Sequence, residues 1–497
     1  MQLLIGEKTD TNPIITNIDY FIVILYNNKT LNLRKARRKG KGEGMAKVKR
    51  ERTEREKKRL IKKLIIIFVS IFLIIGVVFA SFAIAAAVSV KKTNSLVAEF
   101  GTADYKYMEI AYAGNQLKPV IDSDGYYTFT TDDPFRICLF NDLHIGAGAF
   151  SGKKDRYLFN ALEAMIRYEK PDLVIFNGDS VYPVPFQAGT SNNMTGAEML
   201  SDFMENIGVY WTLTFGNHDT ESYSRYDREA ISQFYEGLRT EKGYKYCLFQ
   251  QGPDNIAGYG NSIIKVKNSK GLVSQALILM DSHSYIESDK FGVKWDYDNI
   301  KDNQVDWYAG EIQKLNTYNQ AKLATLELSP DAAENFKTVK SLAFFHIPLD
   351  EFRQAYLVYK DKGDTEDVKY VYGQIKEKGK FIYSGSGEDQ VFEKALELGS
   401  TKGFFFGHDH YNDLSLEYRG IRFTYGKALD YLAYIGIAKE GAQRGCIIVR
   451  TYSDGSFDNY TENYYQDKYQ AMYEKEKVKM QWFDVAASYN PPKGRDK

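Results

Sequence analysis

Five of the six histidines in this 497-residue chain fall in four short groups. In each group the histidine is accompanied by Asp or follows a run of apolar residues. The groups are Asp-Leu-His at 142–144, Gly-Asn-His-Asp at 216–219, Phe-His-Ile-Pro at 345–348 and Gly-His-Asp-His at 407–410. Imidazole, carboxylate and amide groups suit ions such as Mn, Fe and Zn. Histidines scattered through a core would not cluster in this way, so we interpret the groups as candidate metal ligands.

The spacing within two of the groups lets both side chains reach one ion. Asp142 and His144 are two residues apart, as are His408 and His410, and alternate residues of an extended segment point to the same side. Two cations about 3.5–4 Å apart need a shared anionic ligand. Asp179, which follows Asn-Gly in a further group, can bridge them. Taken singly, each Asp or Asn could instead be an ordinary turn residue.

Each group comes directly after a segment that is predicted to be a strand. From about Pro134, short apolar runs alternate with amphipathic stretches, as is typical of a layered α/β domain whose loops meet at one sheet edge. The predicted strands are Arg136–Phe140, Leu173–Phe176, Tyr210–Thr214, Ala276–Met280, Leu342–Phe345 and Gly403–Phe406. The predicted helices are Arg156–Glu169, Ala197–Ile207, Gln304–Leu315 and Glu388–Leu398, and a hairpin turn is predicted at 452–455.

In this order the groups resemble the five motifs of the calcineurin-like metallophosphoesterases, and the resemblance spans Asp142 to His410. The wider sequence, including Gly292-Val293-Lys294-Trp295, is similar to the purple-acid-phosphatase-like branch. The resemblance implies the α/β (α+β) fold class, as a four-layer αββα sandwich. It also implies hydrolysis of phosphomonoesters or phosphodiesters by a metal-bound hydroxide at a binuclear centre. That centre would hold two divalent or trivalent metal ions, Mn, Fe, Zn or mixed.

Carried over position by position, the resemblance implies two metal sites that share Asp179. The first site would contain Asp142, His144, Asp179 and His410, and the second would contain Asp179, Asn217, His346 and His408. His218 would stabilise the phosphoryl oxygens or protonate the leaving group, with Asp219 orienting it. His283 belongs to none of these motifs, and a structural role is favoured for it over a substrate contact.

One departure from the family pattern concerns the first metal site. Purple acid phosphatases have Gly-Asp-x-x-Tyr, whose Tyr binds ferric iron, and they lack the His of the first motif. This chain has both Tyr182 and His144, and the two side chains would compete for one coordination position. We expect His144 to bind and Tyr182 not to bind, so the protein should not be purple.

The N-terminal sequence indicates a membrane anchor. Residues 64–90 form a run of 27 residues without a charge, and a helix needs about 20 to span a bilayer. Residues 34–63 hold 16 Lys or Arg against 4 Asp or Glu. The positive-inside rule therefore predicts a single-pass signal anchor with a cytoplasmic N-terminus and an extracytoplasmic catalytic domain. The alternatives are a buried helix and a signal peptide cleaved near 83–85.

The sequence predicts five parts. Residues 1–63 form a basic cytoplasmic segment. One hypothesis is that 1–44 is a mis-assigned start, because the Lys, Arg, Gly and Glu residues directly before Met45 would be encoded by purine-rich codons, as in a translated ribosome-binding site. The choice between Met1 and Met45 as the true start stays open. The anchor covers 64–90, a stalk or outer strands 91–133, the metallophosphoesterase domain 134–455 and a C-terminal extension 456–497. Within the domain, an insertion from about Tyr285 to Lys340 is interpreted as a lid over the metals.

Composition excludes several classes of protein. The chain has 65 Lys+Arg, 65 Asp+Glu and 44% hydrophobic residues, which is too apolar for a disordered protein. Its three cysteines form no Cys-x-x-Cys pair and predict no disulfide framework. Residues 64–497 carry a net charge of −11, which argues against nucleic acid and leaves a phosphate ester as the expected substrate. The alternative to an enzyme is a non-catalytic metal- or phosphate-binding cell-surface protein on the same fold.

Overall fold

The short apolar runs of the sequence form the strands of two sheets. The computed structural model describes residues 43–101, 115–377, 379–387, 389–434, 437 and 444–463. Within these residues the strands, numbered β1 to β14 in chain order, are Val120–Ile121, Tyr127–Thr130, Phe135–Phe140, Leu173–Asn177, Trp211–Thr214, Ser262–Lys267, Val273–Leu279, Ser341–Phe344, Val368–Tyr372, Thr401–Phe406, Ser415–Tyr418, Ile421–Tyr425, Gly445–Thr451 and Phe457–Asn463.

The amphipathic stretches form helices that connect these strands. In chain order the helices α1 to α8 are Glu43–Glu99, Gly152–Glu169, Asn193–Ile207, Arg228–Glu241, Asp302–Leu323, Pro330–Asn335, Asp350–Lys362 and Val391–Leu398. A short 3-10 helix covers Glu287–Asp289. The helix α4 begins at an Asp227 cap whose carboxylate accepts the N–H of Ala230, which satisfies one of the free donors of the first turn.

Both sheets are mixed, with parallel strands at their centres. The smaller sheet has the order β14-β13-β3-β4-β5, and β3, β4 and β5 run parallel. The larger sheet has the order β1-β2-β6-β7-β8-β10-β12-β11-β9, and β7, β8, β10 and β12 run parallel. The carboxyl ends of the central strands in each sheet therefore lie at one edge, where their loops meet.

The core has three apolar layers, which show that the two sheets are stacked between two layers of helices. The middle layer joins the sheets through side chains such as Ile137 and Ile175 from the smaller sheet and Leu277 and Phe344 from the larger. The outer face of the smaller sheet is covered by α2, α3 and α4. The outer face of the larger sheet is covered by α5, α7 and α8. The predicted four-layer αββα sandwich is confirmed.

The chain divides into two compact units, Met1–Phe79 and Ala80–Lys497. The described part of the first unit is helical and carries exposed apolar side chains such as Phe68 and Leu73. Thr53–Glu99 is long and apolar enough to cross a membrane. In the second unit, the end of α1 buries Thr93 and Val97.

Several predicted boundaries fall next to or beyond what the structure describes. Strands β1 and β2 lie in the segment predicted as a stalk or outer strands, and β14 lies in the predicted C-terminal extension. Residues 1–42, which contain most of the predicted mis-assigned start, lie outside the described residues, as does the extension beyond Asn463. The domain boundaries given above therefore stay predictions.

Candidate metal centre

The loops that leave both sheets meet at one point, and Asn177 fixes their positions. Its side-chain N–H groups donate to the carbonyls of Phe345 and Phe405 at 3.1 and 3.0 Å, while its amide oxygen accepts from Thr214 at 3.0 Å. Asn177 ends β4 of the smaller sheet, whereas Phe345 and Phe405 belong to strand ends of the larger sheet. This one amide therefore cross-links the two sheets directly beneath the candidate ligands.

The first group of candidate ligands is buried and closely spaced. Asp142, His144, Asp179 and His410 can each place one ligand atom within 4.8 Å of the others. Nε2 of His144 lies 3.4 Å from Oδ2 of Asp179, and Nε2 of His410 lies 3.3 Å from Oδ1 of Asp142. The structure thus brings together the four side chains that the sequence predicts for the first metal.

The second group shares Asp179 with the first. Asp179, His346 and His408 have ligand atoms within 4.8 Å of one another, and Nε2 of His346 lies 3.1 Å from Oδ2 of Asp179. Asn217 joins this group, because its side-chain oxygen lies 2.9 Å from Nδ1 of His408. All seven predicted ligands therefore lie in one buried cluster, with Asp179 at the centre of both groups.

The donor set fits two cations. Oδ2 of Asp142 is a buried atom that makes no hydrogen bond within the described part of the chain, and the buried Nε2 atoms of His346 and His410 lie 3.1 and 3.3 Å from carboxylate oxygens of the same cluster. Buried polar atoms are almost always paired, because leaving one unpaired costs about 1–3 kcal/mol. An unpaired carboxylate oxygen beside two imidazole nitrogens that face carboxylates is the donor arrangement that ions such as Mn, Fe or Zn satisfy.

The backbone at the ligands is strained. Asp142, His144, Asp179 and His408 have φ values of 51°, 53°, 52° and 75°. This left-handed region costs an L-residue about 1–2 kcal/mol, and such strain clusters where the surrounding structure forces a functional geometry. Four candidate ligands in this conformation indicate that the loops are shaped for the position of their side chains.

Two glycines of the motifs are required by close approach. A Cβ at Gly178, where φ is 86°, would lie 2.3 Å from Nδ1 of His346. A Cβ at Gly216 would lie 2.2 Å from Oδ1 of Asp179. Both distances are far below van der Waals contact, so the glycines let the neighbouring loops carry their ligands into the cluster.

Behind His144 lies Asp430, a residue that the sequence analysis did not select. Oδ1 of Asp430 is 3.5 Å from Nδ1 of His144, and both side chains are fully buried. The same carboxylate accepts backbone N–H groups of Leu432 and Ala433 at 2.6 and 2.9 Å, which holds it in place. A carboxylate behind a ligand imidazole fixes the orientation of the ring.

The hydroxyl of Tyr182, the side chain expected to compete with His144, is bonded to a residue outside the two ligand groups. Its hydroxyl hydrogen-bonds to the side chain of Gln187, while its ring packs edge-on against His144 with centroids 4.8 Å apart. Burial raises the pKa of Tyr182 above its usual value, and the nearby Asp430 carboxylate adds to the effect. The bond of this hydroxyl to Gln187 is consistent with the expectation that His144 binds and Tyr182 does not.

The charges of the cluster shift histidine pKa values in opposite directions. Burial alone lowers the pKa of His144, but Asp430 and Asp179 outweigh burial and raise it to about 10. Burial is likewise outweighed at His346, where Asp179 is the main contributor and the pKa rises to about 9. Burial, together with the neighbouring His346, lowers the pKa of His408. In a cation-free site, protons on His144 and His346 therefore balance the carboxylates.

His218 is oriented by a different acid from the one expected. Its Nδ1 lies 2.6 Å from Oε1 of Glu221. The carboxylate of Asp219 instead accepts the backbone N–H groups of Gly216, Asp179 and Val181 at 2.8, 3.0 and 2.8 Å. The expectation that Asp219 orients His218 is thus corrected, because both oxygens of Asp219 are engaged in joining the two motif loops.

A cavity of about 790 Å³ opens beside the cluster. Its lining combines three histidines with a set of aromatic side chains, namely His218, His408 and His410 with Trp295, Tyr297, Tyr383, Tyr411 and Tyr434. The histidine ring atoms that face this space can therefore meet a ligand that enters from solvent. The cavity is large enough for a phosphate ester with a substantial leaving group.

Part of the predicted lid borders this cavity. The hydroxyl of Tyr285 accepts from Asn217 at 3.1 Å, and its ring stacks on Tyr297, which in turn contacts His408 at a centroid distance of 4.2 Å. Further along, the insertion forms α5, which packs on the outer face of the larger sheet, and the short helix α6. Only the first part of the insertion therefore lies over the candidate ligands.

His283 lies beside the site in a structural setting. Its backbone N–H donates to Asp281 at 2.9 Å, and its Nε2 lies 2.9 Å from the side-chain oxygen of Gln304. Asp281 also holds Arg228, which donates to the carbonyl of Gly216 at 2.6 Å and thereby supports the Asn217 loop. These contacts favour the structural interpretation of His283.

Sequence reasoning missed Glu221, Asp430 and Arg228. Glu221 follows His218 by three residues, so a search for an acid near this candidate catalytic histidine would have found it. Asp430 lies twenty residues after His410 in a segment without a motif, and Arg228 lies in the first turn of α4. No spacing signal connects either residue to the site, because only the folded chain brings them to it.

Comparison with known proteins identifies the class that this fold and site define. The family model of the calcineurin-like phosphoesterases matches residues 135–412. The chain belongs to this family. Among curated relatives, it is 28% identical to "Probable inactive purple acid phosphatase 14" of Arabidopsis thaliana, over 62% of this chain and 73% of that protein. The predicted resemblance to purple-acid-phosphatase-like proteins is confirmed.

Two further similarities are with a yeast protein and a solved structure. The chain is 27% identical to "Phosphatase DCR2" of Saccharomyces cerevisiae, over 65% of this chain and 52% of that protein. It also matches the crystal structure of a dimetal phosphatase from Danio rerio with 12% identity and a TM-score of 0.38, over 67% of this chain and 100% of that chain.

Proposed function

We propose that this protein is a membrane-anchored phosphoesterase that hydrolyses phosphate monoesters or diesters at a binuclear metal centre. The observation that carries the proposal is the shared position of Asp179 between two buried ligand groups. A single structural metal needs one such group. A shared carboxylate between two groups is the arrangement of two-metal hydrolytic sites.

The proposed ligands fall into two sets. Asp142, His144, Asp179 and His410 would hold one ion, and Asp179, Asn217, His346 and His408 would hold the other. Bound there, two cations would supply Lewis-acid polarisation of the phosphoryl group and activation of water. The protein contributes the rigid cluster, in which strained loops and buried hydrogen bonds fix the ligand atoms before substrate enters.

His218 is the proposed catalytic side chain. It lines the cavity, and its Nδ1 contacts Glu221, which leaves Nε2 as the nitrogen available to a substrate. From there it can stabilise phosphoryl oxygens or give a proton to the leaving group. Asp219 serves the site indirectly, because it holds the backbone of Asp179 and Gly216 in place.

The alternative is a metal- or phosphate-binding protein without turnover, and the printed name of the Arabidopsis relative contains the word "inactive". Support for an enzyme comes from this chain's own residues. A protein that had lost turnover would have no need to keep His218 against a cavity with Glu221 behind it, in addition to all seven candidate ligands.

The proposed location follows from the N-terminal helix. It is long and apolar enough to cross a membrane, and the basic run before it favours a cytoplasmic N-terminus. The phosphoesterase domain would then be extracytoplasmic, so its substrate would be a phosphate ester of the cell envelope or its surroundings.

The test is hydrolysis of one chromogenic monoester and one chromogenic diester by the full chain in lipid nanodiscs. The protein is first stripped with a chelator and then reloaded with Mn, Fe, Zn or Mg. We expect metal-restored hydrolysis in the wild type and a loss of at least about a hundredfold in Asp179→Asn, because that variant removes the shared anionic ligand.

The matched control is Asp331→Asn, which makes the same change at an exposed position of α6. It should hydrolyse both esters like the wild type. Metal binding without hydrolysis of either ester, under every metal, would reject the enzyme and favour the binding protein.

A further inference from the structure

The end of the long helix packs against the phosphoesterase domain. The Phe82 and Phe150 rings meet edge to face with centroids 5.4 Å apart. Ser89 approaches Gly152 so closely that a Cβ there would lie 1.9 Å from its hydroxyl oxygen. Thr93, one helical turn further, lies within hydrogen-bonding distance of the Gly152 carbonyl, at 3.5 Å. Residues 150–152 thus lie alongside the helix between Phe82 and Thr93.

The level of these contacts relative to a bilayer follows from chain length. The charge-free run begins at Leu64, directly after Lys62 and Lys63, and a helix needs about 20 residues to cross the hydrocarbon. A crossing that starts at Leu64 ends near Phe82, well before the run itself ends at Val90. If the helix crosses a bilayer in this way, Phe82 and the Phe150 ring in contact with it would come at the boundary between hydrocarbon and headgroups.

A second aromatic side chain projects from the same surface. Phe186 is 94% exposed, the highest value among the large apolar side chains that the structure describes. It sits on a tight turn closed by hydrogen bonds from Gln187 and Ala188 to the Val184 carbonyl. The Phe150 N–H donates to the Ala188 carbonyl at 2.9 Å, which joins the turn to the segment beside the helix. A large apolar side chain left in water forgoes the favourable free energy of its burial.

Three exposed lysines lie near these residues in the sequence. Lys91 and Lys92 are exposed and follow the charge-free run directly, and Lys153 is exposed next to Gly152. Each such cation is attracted to a surface of anionic lipids. Exposed aromatic rings next to basic side chains are the composition of protein surfaces that lie in a headgroup layer.

From these observations we infer that a defined face of the domain docks on the bilayer. The face, here called the Phe150 face, consists of Phe150, Phe186, Lys91, Lys92 and Lys153. Its partner is the headgroup layer of the membrane that the chain's own helix crosses. The inference rests on the membrane anchoring in the proposed function, and it adds that the domain lies directly on the lipid surface in one orientation.

The experiment places a fluorescent reporter on the Phe150 face of the full chain in liposomes that contain anionic lipid. Phe186→Cys is labelled with an environment-sensitive dye, because the three native cysteines are buried. The matched control is Tyr168→Cys, which is also exposed and lies at the opposite end of α2 from Gly152. A spin-labelled lipid in the membrane then serves as a short-range quencher.

We expect the lipid quencher to reduce the emission at position 186 and to leave the emission at position 168 unchanged. The dye at 186 should also shift to shorter wavelength when the protein passes from detergent to liposomes. Labelled Phe150→Cys provides a second measurement of quenching. The result for Phe186→Cys is the decisive one, because the exposed Phe186 side chain can be replaced without disturbing the fold.

Flotation of the liposomes separates the two ideas being tested. In one outcome the protein floats with the lipid after an alkaline wash, but the dye at 186 is quenched no more than the dye at 168. This result would support the membrane anchor and overturn the docked face. Protein that does not float overturns both. Energy transfer between dyes on separate chains at position 186, without lipid quenching, would show a second copy on the face and would also overturn the inference.

Discussion

The ring of His218 is held by Glu221, whose Oε1 lies 2.6 Å from Nδ1 of the imidazole. The side chain of Glu221 is only 4% exposed, so the contact is shielded from water. A carboxylate on one ring nitrogen fixes the tautomer and direction of the other. The opposite nitrogen of His218 is thereby aimed at the cavity that we propose as the substrate site.

We expect Glu221→Gln to lower kcat by about 10- to 100-fold, because His218 loses the carboxylate that orients it. The loss should be larger for an ester with a poor leaving group, since that reaction depends more on proton donation. Bound metal should not change, because Glu221 belongs to neither ligand group. The measurement is kcat for two aryl esters of different leaving-group acidity, with metal content by elemental analysis.

The control for this variant is Glu241→Gln, an exposed position at the end of α4. It should leave both rates unchanged. Equal losses for the two esters in Glu221→Gln, or a loss of metal, would contradict a role in orienting a proton donor.

Metal affinity should rise with pH. His144 and His346, with pKa values of about 10 and about 9 in the cation-free site, are protonated at neutral pH and must lose those protons to bind metal. Between pH 6.5 and 9, each released proton should increase the apparent affinity by up to about tenfold per pH unit. Competition with a chelator of known affinity across this range measures the slope, and a flat profile would refute the prediction.

The same raised pKa values predict the opposite trend for the stability of the metal-free fold. A histidine with a raised pKa stabilises the fold fully below its ordinary value of 6.5, and this contribution is lost as pH rises through the folded-state value. The melting temperature of chelated protein should therefore fall between about pH 7 and 10. Metal-loaded protein, in which His144 and His346 carry no proton, is the control and should not show this fall.

Tyr182→Phe should leave the metal content and the spectrum unchanged. The Tyr182 hydroxyl bonds to the side chain of Gln187, which belongs to neither ligand group. Protein loaded with ferric iron should therefore lack a visible phenolate charge-transfer band. Absorption spectra of wild type and variant test this, and a band that vanishes in Tyr182→Phe would show that Tyr182 is a ligand.

Gly178→Ala should weaken metal binding and destabilise the domain by about 1–3 kcal/mol, because its Cβ would lie 2.3 Å from Nδ1 of His346. Gly125→Ala is the matched control, since Gly125 has the same φ of 86° and nothing within 4 Å of the added carbon. The two variants share the backbone cost, so their difference measures the displacement of His346. Equal melting temperatures and metal affinities in the two would contradict the prediction.

The sequence predicted the central strands well, because strands buried on both faces appear as continuous apolar runs. It was less accurate where polar side chains are buried. Strand β7 begins at Val273 rather than Ala276, because Ser274 and Gln275 are buried polar residues. Helix α5 continues to Leu323 rather than Leu315, since Asn319 is buried and bonds both the N–H and the carbonyl of Val273 at 2.9 Å.

The ligand cluster was predictable for a different reason. Each ligand follows a strand directly, so the positions of the strands determine where the ligands meet. Glu221 and Asp430 lie in loops whose paths depend on tertiary contacts, such as the hydrogen bonds from Leu432 and Ala433 that hold Asp430. Local patterns in the sequence carry no information about such contacts.

The position of the ligand cluster between the two sheets has a consequence for the stability of the protein. Asp142, His144 and Asp179 come from the smaller sheet and His346, His408 and His410 from the larger, on either side of the Asn177 cross-link. Ions bound by both sets of ligands would hold the two sheets together. A free metal concentration of a hundred times the dissociation constant adds about 2.7 kcal/mol to the unfolding free energy. Scarcity of metal would therefore shorten the lifetime of the folded protein as well as abolish its proposed activity.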